Sequence, residues 1–207
     1  MKRVPWGYGL SIILVLAGAA FWGARLHSLQ PSDLFKKPAN TVLDFTFQDR
    51  SGRDISKSYF QGKIWVSDFI FTSCAGTCPM MSEQMKRLQD AWKGDPKFKL
   101  ASFTVDPKRD TVAALKKYAA NFQAGEDQWF FLTGDKKDLY RVIKEGFTLA
   151  AGEDPSGEKG FEFIHSTLMV LVDAKGMVRG LYDAQKEDEM KKLKQDVKFL
   201  MASRSGT

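Results

Sequence analysis

The stretch with chemistry to offer spans residues 69–81 and holds both cysteines of the chain, Cys74 and Cys78. Three residues separate them, so at the start of a helix they are neighbours across one turn, placed to form a disulfide or to share one soft metal ion. The residues that follow predict such a helix. Pro79 is a favoured first helical residue, and Met81, Met85, Leu88 and Trp92 recur at helical spacing. Unpaired N–H groups and the dipole at a helix N-terminus favour thiolate over thiol, so both sulfurs are expected to be more acidic than ordinary cysteine. The plain alternative is a pair of inert buried thiols, or a disulfide that closes too short a loop to stabilise much.

The element that delivers these thiols is legible upstream. Residues 64–71 are almost continuously apolar, as in a central strand covered on both faces. Asp68 interrupts that run six residues before Cys74. A charge there is costly unless it has a role or a partner, and the bland reading sends it to a sheet edge or to a cation such as Lys63. Met80, Met81 and Met85 are candidate auxiliary soft ligands, with helix-core packing the reading favoured for Met81 and Met85.

Around this unit, strands alternate with helices. Residues 42–48 read as a strand, and 49–53 as a hairpin turn into a second short strand. Residues 98–105 form another apolar strand, followed by a turn and N-cap at 106–111 and a helix carrying Val112, Leu115, Ala119 and Phe122 on one face. A third core strand at 129–132 leads to a helix with Leu139, Val142 and Ile143, ended by Gly146. The polar segment 152–160 reads as a mobile surface loop. His165 then opens a strand at 167–172, which pairs with 177–182 through a turn at 173–176. The last helix shows Met190, Leu193, Val197 and Leu200, with Glu187, Asp188 and Glu189 in its first turn. This order predicts one α/β domain with no internal repeat.

The chain has 207 residues, 43% hydrophobic and 27% charged, enough for one domain and an appendage. The appendage is at the front. Residues 4–24 carry no charge, about the length that spans a bilayer core. Lys2 and Arg3 precede the run, and Trp6, Tyr8 and Trp22 sit near its ends, which predicts a single transmembrane helix with a cytoplasmic N-terminus. A cleaved signal peptide with small residues at Ala17, Gly18 and Ala19 is the rival. The uncleaved anchor is preferred because the apolar run continues through Phe21 and Trp22. No lipobox cysteine is present. The expected organisation is an anchor at 1–25, a tether at 26–40, a domain at 41–202 and a tail at 203–207, placed in a bacterial inner membrane with the domain in the periplasm. His27, just outside the bilayer, reads as a solvated interfacial residue. The net charge of +6 shrinks to 28 bases against 25 acids once Lys2, Arg3 and Arg25 are set aside. No basic run is interleaved with aromatics, so nucleic-acid binding has no support.

The element order resembles the thioredoxin fold, with the strands before Ser56 as an N-terminal β extension. More specifically, the chain resembles the SCO/SenC family of membrane-anchored copper proteins that help assemble the CuA centre of cytochrome c oxidase. The resemblance covers roughly residues 40–200. It rests on Cys74 and Cys78 followed by Pro79, on Thr104, Val105, Asp106 and Pro107 with Asp110 and Thr111, on Phe131 to Gly134, and on His165 with Ser166. It implies that Cys74, Cys78 and His165 bind one copper ion. Two thiolates and an imidazole form a soft set suited to Cu(I), and the nitrogen also admits Cu(II). Zinc is a chemical rival for the same donors. For His165 taken alone a satisfied core histidine competes with ligation. It is the only histidine of the globular part, which favours ligation once the cysteine pair is granted.

The resemblance also bears on Asp68, which stands where thioredoxins carry a buried carboxylate that relays protons, making it a candidate proton relay. The cis-proline that thioredoxins place opposite the cysteines is replaced here by His165 and Ser166. The leading expectation is a copper chaperone without catalytic turnover, partnered by the CuA-bearing oxidase subunit and by an upstream copper donor or thiol reductant. The alternative is a thiol–disulfide oxidoreductase acting on the cysteines of that subunit or of another periplasmic target. A peroxide-scavenging thiol enzyme is weaker, since no activating arginine is identifiable beside Cys74.

Overall fold

In the computed structural model, residues 40–147 and 167–203 are described. The strands, in chain order, are β1 (Thr46–Asp49), β2 (Asp54–Ser56), β3 (Ile64–Ile70), β4 (Phe98–Thr104), β5 (Trp129–Thr133), β6 (Leu168–Val172) and β7 (Val178–Asp183). The helices are α1 (Thr77–Ala91), α2 (Val112–Asn121), α3 (Lys136–Arg141) and α4 (Glu187–Ser203). The strands form one sheet in the order β2-β1-β5-β4-β3-β6-β7. β3, β4 and β5 are parallel neighbours, while β6 joins β3 antiparallel and β7 closes that side as a hairpin. The β1–β2 hairpin is attached to the far edge through β5.

β3 is therefore the interior strand that the apolar run predicts, and all of its residues are buried. Its alternate side chains enter different cores. Ile64, Val66 and Ile70 pack with Cys78, Met81, Met85 and Leu88 of α1, Leu115 of α2 and Leu193 of α4. Trp65 and Phe69 enter an aromatic core with Phe45, Phe60, Phe103, Phe130 and Phe147, to which α3 adds Leu139. Helix-core packing thus accounts for Met81 and Met85, and Met80 is partly buried against the same cluster.

Some boundaries differ from expectation. α1 begins at Thr77 with Gly76 as its N-cap, so Pro79 is the third helical residue rather than the first. The shift is cheap, because the N–H that proline lacks has no intrahelical partner anywhere in the first turn. α3 is only one short helix, continued by a π turn at Val142–Gly146. A Cβ on Gly146 would lie 2.9 Å from the Leu43 nitrogen, so the close approach of that backbone calls for glycine at the end of the π turn. The expected transmembrane segment, the tether up to residue 39, His27, the loop 152–160 and His165 all lie outside the described residues. Among the described residues, no helix is long and apolar enough to cross a membrane.

Candidate redox and metal site

β3 ends, and α1 begins, at the cysteine loop. Cys74 is half-buried ahead of the helix and Cys78 is buried within its first turn, 2% exposed, and both are free thiols. Their chemistry differs because their depth differs. Partial burial pushes the Cys74 thiol up. Hydrogen bonds from the Cys78 backbone and thiol, and from the backbone of Gly76 and Thr77, outweigh this and hold it below its ordinary value. The open helix terminus does what the sequence leads one to expect at this sulfur.

Cys78 contradicts the expectation of two acidic thiols. Burial pushes its pKa up to about 12, reinforced by the neighbouring Cys74 sulfur and the charge of Asp68. Position in the first turn supplies a dipole, but desolvation of a sulfur facing the core is the larger effect. The pair is thus one accessible, thiolate-prone sulfur above one buried, proton-holding sulfur.

Asp68 lies beneath them. It is fully buried, faces neither an edge nor Lys63, and neither carboxylate oxygen has a well-formed hydrogen bond among the described residues. Lys63 instead donates to the Tyr59 carbonyl and covers the Tyr59 ring. The bland reading of Asp68 is therefore wrong: β3 is interior, so its edge is not available. Burial raises the Asp68 pKa to about 7, tempered by the Ser102 hydroxyl at the paired position on β4. Ser102 itself accepts from Trp129 Nε1 at 2.9 Å. One turn beyond Cys78, Ser82 shares a 2.9 Å hydrogen bond with the Tyr118 hydroxyl. Burial raises the Tyr118 pKa, and the charges of Asp68, Cys78 and Cys74 raise it further, which puts all these groups in one electrostatic neighbourhood.

Asp110 is a residue whose role sequence reasoning missed. It stands in a recognisable motif, but its type and place before a helix suggest only capping, and the cap is Thr111, which accepts from the Ala114 N–H at 3.3 Å. Asp110 is wholly buried and fastens the cysteine loop. It accepts from the Thr72 hydroxyl at 2.6 Å and the Thr72 N–H at 3.1 Å, and from the Thr104 hydroxyl at the end of β4. With the Cys74 N–H donating to the Phe71 carbonyl at 3.1 Å, the backbone leading to the first thiol is held at Phe71 and Thr72.

Once deprotonated, the two sulfurs would supply the soft donors of a metal site. Among the described residues no third histidine, cysteine, aspartate or glutamate joins them in a metal-holding group. A further histidine, cysteine or carboxylate ligand would come from outside these residues, where His165 lies.

Comparisons with known proteins agree on one family. The SCO1/SenC family model matches residues 35–202. A SCO1/SenC family lipoprotein from Bacillus anthracis is 29% identical, with a TM-score of 0.68 over 78% of this chain and 95% of that one. BsSco, a member of the Sco family of cytochrome c oxidase assembly proteins in which a disulfide switch was identified, is 34% identical, with a TM-score of 0.65 over 77% of this chain and 92% of that one. Copper-bound ScoI from Bradyrhizobium japonicum shares the fold at 24% identity, with a TM-score of 0.59 over 75% and 98%. A family match across most of the sequence, together with thioredoxin-like neighbours along the described domain, shows that the chain belongs to the SCO1/SenC family.

Proposed function

We propose that the chain binds one copper ion through Cys74, Cys78 and His165 and delivers it to the CuA centre of cytochrome c oxidase. The observation that carries this reading is the thiol pair at the open end of α1, with Cys74 partly exposed and thiolate-prone and Cys78 directly below it. Two sulfurs and an imidazole are soft donors suited to Cu(I), and family membership favours copper over zinc for the same set. Copper is cargo in this reading, so no turnover is required. The domain at 41–202 is placed in the periplasm by an anchor at 1–25, with the N-terminus in the cytoplasm. An upstream copper donor or thiol reductant and the CuA-bearing subunit are its partners.

A second reading is favoured by Asp68. In a thiol–disulfide reductase, the Cys74 thiolate would attack a target disulfide and form a mixed disulfide, with the target's other sulfur leaving as thiolate. Cys78 must then lose a proton to attack Cys74 and release the target. A buried carboxyl with a pKa of about 7 and no well-formed hydrogen bond among the described residues is a fitting acceptor for it. His165→Ala and Asp68→Asn separate the readings in cells at matched protein levels. A copper chaperone loses oxidase assembly with the first and retains it with the second. Full assembly in His165→Ala together with failure in Asp68→Asn replaces the chaperone by the reductase.

A further inference from the structure

Beside the cysteine loop lies a recess of about 410 Å³ lined by Phe71, Val105, Lys108, Arg109, Lys136 and Tyr140, with Asp106 contributing the one carboxylate. Arg109 already engages Asp106 at 3.2 Å. Lys108 is exposed and forms no ion pair among the described residues, and Lys136 lies over the Tyr140 ring at 5.3 Å. The Tyr140 hydroxyl donates to the Val105 carbonyl at 3.1 Å, which fixes the aromatic floor. The recess is also in fixed register with the thiols. Phe71 accepts the Cys74 N–H at 3.1 Å, and the loop bearing Lys108 and Arg109 is fastened by Asp110 to the Thr72 hydroxyl at 2.6 Å.

We infer that this recess is a docking surface for an acidic segment of the protein that meets Cys74, one that carries carboxylates around an apolar side chain. The inference rests on the reading above, since both copper delivery and thiol exchange bring a second protein to the exposed side of Cys74. Three cations against one carboxylate attract an acidic segment and steer its approach. Phe71 and Tyr140 give its apolar residue a surface to bury against. A basic segment meets like charge at Lys108, Arg109 and Lys136 and is rejected.

The test uses the full reduced chain in neutral detergent and two fluorescent peptides of equal length. One has glutamates around a central phenylalanine, and the other has lysines in their place. The acidic peptide is expected to bind roughly tenfold more tightly at low salt, with the margin closing as ionic strength rises. Lys108→Glu combined with Lys136→Glu is expected to abolish that preference. The charge-matched pair Lys93→Glu and Lys97→Glu, exposed positions beyond the C-terminal end of α1, is expected to keep it. Equal binding of the two peptides, or equal loss in both double variants, overturns the inference. Copper content measured on the same samples reports on the metal reading independently.

Discussion

The two sulfurs are chemically unlike, and that difference is decided by depth rather than by sequence position. Spacing and the helix terminus are readable from residue types, and they give the right answer for Cys74. They miss Cys78, because a sequence does not reveal how far a first-turn side chain points into the core. Alkylation of the reduced, metal-free chain near neutral pH is expected to modify Cys74 first, with Cys78 slower by at least about tenfold, the ratio read by peptide mass. Equal rates would contradict the asymmetry of burial. Asp68 has its own signature in stability. Its folded pKa of about 7 lies above the ordinary carboxylate value near 4, so the folded state holds a proton that the unfolded chain releases. Its contribution is complete below about pH 4 and is lost as pH rises toward 7. Asp68→Asn removes this dependence, so the metal-free variant is expected to gain up to about 4 kcal/mol on wild type between pH 4 and pH 8 in urea titrations. Parallel curves would show that the carboxyl is not held protonated. That Lys63 does not pair with Asp68 was not legible, since the two are near in sequence and only the fold shows Lys63 turned to Tyr59.

At the scale of elements, the long periodic signals were the readable ones. β3 and α1 stand where an unbroken apolar run and a helical repeat put them, because burial on both faces and along one stripe leaves a strong pattern. The start of α1 was less determinate, since proline is tolerated throughout a first turn. What joins the elements was not readable at all. Asp110 ties the end of β3 to the end of β4 through Thr72 and Thr104, partners 38 and 6 residues away. Asp110→Ala leaves two hydroxyls and one N–H without their acceptor, and is expected to destabilise the chain by about 3 kcal/mol. It is also expected to move the pH midpoint of Cys74 alkylation upward, as the loop that aims N–H groups at the sulfur loosens. Asp110→Asn keeps the shape and one acceptor and should do less on both counts. A variant that loses stability with an unchanged alkylation midpoint would make Asp110 a support for the fold alone.

Over the whole molecule, one sheet separates two cores, and the site occupies the boundary between β3 and the helices packed on one face. A single α/β domain was legible from the alternation of strands and helices, and the thioredoxin-like fold from the resemblance of the element order around the cysteine loop, but the attachment of the N-terminal hairpin to β5 was not, because antiparallel edge pairing leaves no mark at that distance along the chain. The site brings Cys74, Cys78 and Asp68 into one neighbourhood, while the third proposed ligand, His165, lies outside the described residues. The copper content of the full chain after desalting therefore tests the account most directly. Fully reduced wild type is expected to retain about one copper per chain, and oxidised wild type, Cys74→Ser, Cys78→Ser and His165→Ala are each expected to lose tight binding. Equal copper in the oxidised and reduced protein, or full retention in either cysteine variant, would contradict it.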